Sequence, residues 1–283
     1  MLSQQQLSSA YQYACEIELQ AFKPGNVSVY ADGHDMTVED FRVSAQKSAL
    51  PISNPDYSLG ERIYYAVKAT RDAVGCNTNL GILLLSAPLL MAAEKINQPA
   101  ELREKLAEVL ANTTVADAEW VFRAIALAAP GGLGEAKQQD VAQKPDVTLT
   151  QAMQIACDKD RIALQFTTNY KDIFDFMIFR YNDRFNQWGD SGWAAAAVFS
   201  AMLARYPDSH IERKYGNLHT RTVMDKMALV DDKLSKTDRP ERLEDFLRNV
   251  DTEFKSAGIN PGTTADLTVV TVLVSRLEQL LLV

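Results

Sequence analysis

Apolar residues recur along most of the chain at intervals of three and four, the spacing that lines one face of an α-helix. Residues 59–74 put Ile63, Val67 and Thr70 on one face, and residues 100–111 repeat Leu102, Leu106 and Leu110. The same pattern predicts helices over 5–22, 38–48, 116–127, 149–157, 170–186, 192–206, 218–234 and 241–256. Residues 80–93 are apolar almost throughout. That run is too short to cross a bilayer, so it reads as a core helix in spite of Pro88. Residues 267–274 are rich in β-branched side chains that would suit a strand. They run without a turn residue into 275–283, and the whole reads as one buried C-terminal helix. The expectation is an all-α protein, one multi-helix domain over residues 1–283.

The irregular segments are 23–37, 51–58, 130–148, 186–192 and 258–264. In a helical protein, loops held by a rigid scaffold are where chemistry is sought. No internal repeat or low-complexity tract interrupts them.

Composition narrows the classes. With 283 residues and 47% hydrophobic content the chain can bury a sizeable core, which excludes a disordered protein. A net charge of −8 argues against a nucleic-acid surface, which gains its affinity by neutralising phosphates. A polyanionic substrate would therefore need local cations or Mg²⁺ held by carboxylates. Three widely spaced cysteines, Cys15, Cys76 and Cys157, argue against a disulfide framework or a zinc site. The polar, glutamine-rich first residues have no apolar core of a signal peptide, so a cytoplasmic protein without a membrane partner is expected.

The loops carry the candidate chemistry. Lys23-Pro24-Gly25-Asn26 places proline and glycine at the centre of a type II turn. Thr37 with Asp40 three residues on reads as a capping box with Asp in place of Glu. The cap accounts for Asp40 and leaves Lys23, Asn26 and Asp35: a cation, an amide and a carboxylate on one loop. His34-Asp35 lacks the upstream histidine that a helical metal-dependent phosphohydrolase needs. In Gly75-Cys76-Asn77-Thr78-Asn79-Leu80-Gly81, Asn77 or Thr78 can cap the apolar helix. Bare first-turn N–H groups there suit a phosphate, and Asn79 exceeds what capping requires. Pro130 and the glycines after it end a helix, and Glu135 and Asp140 follow where carboxylates could face a metal or a hydroxyl. Gly189-Asp190-Ser191-Gly192 imitates a protease nucleophile loop but precedes an alanine-rich helix. There Asp190 reads as an N-cap first and a metal ligand second. Asn260 lies just before a Thr-capped helix with Asp266 in its first turn, where the helix dipole alone would explain a carboxylate.

Taken in order, six segments resemble the triphosphoribosyl-dephospho-CoA synthase (ATP:dephospho-CoA triphosphoribosyltransferase) family. They are KPGN with HDM and DF..SA, NTNLGILLL.APL, GGLGEA..QDV, TL..AM..A.D.D.IA.Q, D.HI.RKYG and NPGTTADL. The resemblance runs from about residue 11 to about residue 280. It implies an all-helical enzyme that joins the ribose of ATP to the 2′-hydroxyl of 3′-dephospho-CoA and releases adenine, making the prosthetic-group precursor of citrate lyase and malonate decarboxylase. It also implies Mg²⁺ with the ATP. Candidate phosphate and substrate contacts are then Lys23, Asn26, Arg71, Asn77, Thr78, Asn79, Gly81, Gly132 and Asn260. Breaking a ribose C1–N bond builds positive charge on the sugar and needs carboxylates and a proton donor nearby. Asp35, Asp40 and Glu135 are candidates for the general base that takes the acceptor's proton, and Asp140, Asp190 and Asp266 are alternative metal ligands.

In members associated with citrate lyase a His-Lys pair follows the Asn-Thr, where Asn79-Leu80 stands here, and Arg-Val stands in place of Lys23-Pro24. Other acceptors therefore stay open, including one in one-carbon cofactor biosynthesis. So do a helical nucleotide phosphohydrolase and a non-catalytic nucleotide-binding protein. An apolar C-terminal helix would also suit a homodimer interface.

Overall fold

The computed structural model describes residues 1–130, 141 and 143–282. Gly132, Glu135 and Asp140 lie outside the described residues. Helices α1 (Gln4–Gln20), α2 (Val38–Ile52), α3 (Leu59–Val74), α4 (Leu80–Ala93), α5 (Leu102–Ala111) and α6 (Val115–Ala128) make up the first half. Then come α7 (Leu149–Ala156), α8 (Arg161–Thr167), α9 (Ile178–Trp188), α10 (Ser191–Arg205), α11 (Ser209–Tyr215), α12 (Thr220–Ser235), α13 (Glu244–Ser256) and α14 (Gly262–Leu281). Among the described residues the only β-pairing is two isolated bridges in the loop after α1. The fold is all-α.

Local chemistry sets many of the boundaries. Ser3 with Gln6, Thr37 with Asp40, Ser58 with Glu61, Thr114 with Asp117 and Thr148 with Gln151 form reciprocal capping boxes at the starts of α1, α2, α3, α6 and α7. Helix α4 is buried on all sides, as its unbroken apolar sequence requires, and runs on through Pro88. The β-branched residues Val269, Val270, Val272 and Val274 lie fully inside α14, where enclosure by α1, α4, α9 and α10 outweighs their strand preference. One apolar cluster is built around α1, α4 and α14 and another around α12 and α13. Helix α10 belongs to both, since Ala194 to Ala196 enter the first and Ala197 and Phe199 the second. Among the described residues no helix is long and apolar enough to cross a membrane.

Two departures from the sequence pattern matter for the site. The helix expected over 170–186 forms as one unbroken helical run over 171–188, with a π-helical turn, Ile173–Met177, just ahead of α9. Helices α8 and α11 each have only seven residues, too few to show a period, and each is opened by an aspartate. Asp160 Oδ1 accepts from the N–H groups of Ile162 and Ala163, and Asp208 Oδ1 accepts from those of His210 and Ile211.

Candidate active site

A cavity of about 1080 Å³ lies among α4, α6, α7, α8, α11 and α14. Val121, Phe122, Ile125, Leu149, Met153 and Ile162, from α6 to α8, supply an apolar wall. Glu18, Asn26, Asn77, His210, Arg213, Asn260 and Asp266 supply a polar one, with Lys159 and Asp160 at the turn between α7 and α8. Large concave sites of this mixed character are where ligands bind.

The turn after α1 closes as its sequence predicts. Asn26 N–H donates to the Lys23 carbonyl at 2.9 Å, and Gly25 takes φ +84°. A Cβ on Gly25 would also come within 3.0 Å of the Ile259 carbonyl, so glycine is required twice over. The turn does not present Lys23 to a ligand. Lys23 is 1% exposed, and its Nζ donates to Glu18 and, at 2.9 Å, to Asn26 Oδ1. Asn26 Nδ2 in turn donates to Asn260 Oδ1 at 2.8 Å. Glu18, Asn26 and Asn260 therefore face the cavity with the ammonium sealed behind them. Burial pushes the Glu18 carboxyl up and the Lys23 ammonium down, and the attraction between them opposes both shifts.

At the start of α4, Asn77 Oδ1 accepts from Leu80 N–H at 3.2 Å and so satisfies a first-turn donor, while Asn79 holds the N-cap position without a side-chain cap bond. Thr78 Oγ1 donates to Ser44 Oγ at 2.6 Å, and Asn79 Nδ2 reaches Tyr11 Oη and Ser48 Oγ at 3.4 Å. The doubled asparagine is thus explained by structure: Asn77 satisfies a first-turn N–H, and Asn79, at the N-cap position, ties the helix to α1 and α2. Gly81 lies on the cavity wall beside Asp266 of α14, and a Cβ there would stand 2.1 Å from Asp266 Oδ2. Only glycine lets that carboxylate lie against the first turn of α4.

The Asp266 side chain makes no hydrogen bond among the described residues, and its carboxyl is raised well above the ordinary range by burial and by the charges of Glu18, Asp208 and Asp160. A carboxyl raised by folding adds stability while protonated and loses it as pH rises through the folded-state pKa. Asp266→Asn, which has no charge to desolvate, is therefore expected to raise stability by about 1–2 kcal/mol near pH 8. The gain should vanish near pH 3.5, where both forms are neutral. Thermal unfolding of both proteins across that range checks this, and an equal gain at both pH values would show that charge is not the cause.

Asp208 fixes two helices at once. While Oδ1 caps α11, Oδ2 accepts from Thr264 N–H at 2.8 Å and Thr264 Oγ1 at 2.7 Å at the head of α14. The expected threonine cap of that helix is thus replaced by an aspartate from elsewhere in the chain, and α14 starts earlier, at Gly262. His210 and Asp266 are held facing the cavity by this junction. Burial and the nearby Arg213, Lys214 and His34 push His210 down to about 4, so its imidazole is neutral at physiological pH. Arg213 Nη1 donates to Asp160 Oδ2 at 2.9 Å across the cavity rim, and its buried Nε has no hydrogen-bond partner among the described residues.

Several expected site residues lie elsewhere. Asp35 is exposed in the two-residue turn between Gly33 and Met36, where both His34 (φ +58°) and Asp35 (φ +59°) adopt positive φ. Tight hairpin turns select aspartate for that conformation, and Asp35 does not line the cavity. Asp40 is the capping-box partner of Thr37, with Oδ2 accepting from Thr37 N–H at 2.8 Å, and is likewise absent from the cavity wall. Asp190 accepts from Trp193 N–H at 2.8 Å as the cap of α10, and Arg71 lies in the last turn of α3; neither lines the cavity. Asn26, Asn77, Thr78, Asn79, Gly81, Asn260 and Asp266 do line it. Among the described residues no three acidic, histidine or cysteine side chains converge as a metal site. Sequence reasoning missed Glu18, Lys159, Asp160, His210 and Arg213 as site residues. Four of the five stand in or beside the resembling segments, whose charged positions were the available signal. Glu18 sits inside α1 with no motif to mark it.

The chain's sequence matches the profile of CitG, ATP:dephospho-CoA triphosphoribosyl transferase, over residues 4–282. The chain belongs to this family. It is accordingly a transferase of the triphosphoribosyl-dephospho-CoA synthase type. Its fold is shared with a crystal structure from Archaeoglobus fulgidus provisionally named as a triphosphoribosyl-dephospho-CoA synthase, at TM-score 0.64 and 21% identity. The match covers 83% of this chain and 97% of that one. A search of curated proteins finds no match.

Proposed function

We propose that this protein transfers the 5-triphosphoribosyl group of ATP to the 2′-hydroxyl of 3′-dephospho-CoA, releasing adenine, and that the cavity is where it does so. The observation that carries the reading is convergence. Asn26, the start of α4, Asp160, Arg213, Asn260 and Asp266 come from separate segments of the chain and meet on one wall. The apolar wall from α6 to α8 suits the pantetheine arm of the acceptor, and the polar wall suits ribose and phosphates.

Leu80 lines the cavity at the place where citrate-lyase-associated members carry lysine. Among the described residues, Arg213 and the exposed Lys159 are the cations on this wall that can take over the triphosphate. Mg²⁺ enters here as part of the substrate, on the triphosphate. The described side chains do not converge as a resident metal site, and this ion commonly keeps several waters alongside substrate phosphates. The compartment that fits is the cytoplasm, where ATP is supplied and the three cysteines stay free thiols.

The test is incubation with ATP, Mg²⁺ and dephospho-CoA, with chromatography for adenine and for the coupled product. Both should appear in equal amounts. Adenine that appears only with a different hydroxyl acceptor would overturn the acceptor and keep the transfer. Phosphate or pyrophosphate without adenine would overturn the transfer itself.

A further inference from the structure

Among the described residues five carboxylates line the cavity: Glu18, Asp158, Asp160, Glu212 and Asp266. Their partners separate them. Asp160 is committed on both oxygens, to the cap of α8 and to Arg213. Glu212 accepts from Thr220 Oγ1 at 2.8 Å, and Asp158 is exposed to bulk water. Asp266 has no cation bound to it and lies against a helix turn. Glu18 differs from all of these. It is 4% exposed and is paired with an ammonium that is itself sealed from solvent, which the turn holds in place through Asn26 and Asn260.

A buried ion pair is a weak device for stability, since removing both charges from water costs about as much as their attraction returns. What this one does achieve is to hold a carboxylate, hydrogen-bonded to a sealed ammonium, on the polar wall of the cavity. Only Glu18 Oε1 takes the Lys23 hydrogen bond, which leaves the second oxygen available to a ligand. A base held in this way is poised to accept a proton from a neutral hydroxyl.

We propose that Glu18 is the catalytic general base that accepts the proton of the acceptor hydroxyl, and that Lys23 is a positioning residue acting through it. The assignment rests on the transferase reading given above. In the step, the ribose C1′–N9 bond of ATP breaks with its electron pair going to adenine, and a bond forms between the acceptor oxygen and C1′. The hydroxyl proton passes to Glu18, adenine takes up one proton at its ring nitrogen from solvent, and Glu18 later returns its proton to solvent. No proton is gained or lost over the cycle. The titratable groups that face Glu18 are Lys23, Asp266 of α14, and Cys15 of its own helix.

The experiment compares wild type, Glu18→Gln, Lys23→Met and the double variant Glu18→Gln/Lys23→Met. Circular dichroism confirms folding, and adenine release is followed across pH. The double variant leaves neither charge buried alone and keeps the test valid if Glu18→Gln does not fold. Loss of a general base costs about 10²–10⁴-fold. Both Gln variants should lose turnover by that factor, with little change in KM for ATP. Lys23→Met should retain part of the activity with the acidic limb of its pH profile moved to higher pH, because Glu18 without its ammonium protonates more easily. A folded double variant that keeps more than about a tenth of wild-type turnover would overturn the base assignment. An unmoved pH limb in Lys23→Met would overturn the positioning role. Wild type that releases no adenine with any acceptor would instead sink the transferase reading, and this assignment with it.

Discussion

Lys23→Ala is expected to be the most destabilising single truncation at this site, by about 3–5 kcal/mol near pH 8. Lys23 is fully enclosed, and its Nζ is the hydrogen-bonded cation of a carboxylate that is nearly as deeply buried. Removing it leaves the Glu18 charge without compensation, and also frees Asn26 Oδ1 from its donor. The deficit should depend on pH in a definite direction. Without Lys23, burial raises the Glu18 carboxyl further above its unfolded-state pKa. The variant is then least impaired in acid, where Glu18 is protonated, and loses stability as pH rises. Urea unfolding at about pH 5 and about pH 8 tests this, with the larger loss expected at the higher value. A loss under about 1 kcal/mol at both would mean that cavity water solvates Glu18 and that the pair is not closed.

The second large effect is expected at Arg213. Its Nη1 holds Asp160 across the cavity rim, and the residue lines the polar wall. A hydrogen bond to a charged group contributes about 1.5–3 kcal/mol. If Arg213 grips the triphosphate, Arg213→Ala should weaken ATP binding by roughly 10- to 150-fold. Arg213→Lys should recover only part of this, since a point charge cannot reproduce the planar fork. Calorimetric titration with ATP and Mg²⁺ measures both. Binding of dephospho-CoA in the absence of ATP serves as the internal comparison, because its contacts are expected mainly on the wall from α6 to α8. Equal weakening of both ligands would point to collapse of the rim through the freed Asp160 rather than to a lost phosphate contact.

The pattern of apolar positions was sufficient for most of the helices. Residues 59–74 were bounded as they occur in α3, and the capping signals at Thr37 and Ser58 are local, so sequence displays them. Helices α8 and α11 were not visible because seven residues make fewer than two turns, and their only signals are the caps Asp160 and Asp208. Helix α11 carries both His210 and Arg213, and Asp160 caps α8, so much of the polar wall was hidden together with them. The loop residues that attracted notice had local explanations. Asp35 suits a positive-φ turn, and Asp40 and Asp190 cap helices.

Sequence by itself thus determined the all-helical class, the family and the turn at Lys23 to Asn26, because each depends on neighbours within a few residues or on the order of segments. Tertiary structure alone decided what those residues face. Lys23 points inward to Glu18, the second asparagine of the α4 cap is tied into the interior, and Asp266 lies against Gly81 from a helix that begins 181 positions later. A side chain's chemistry is set by the groups packed around it and by its distance from water, and these come together only when helices remote in sequence are brought into contact.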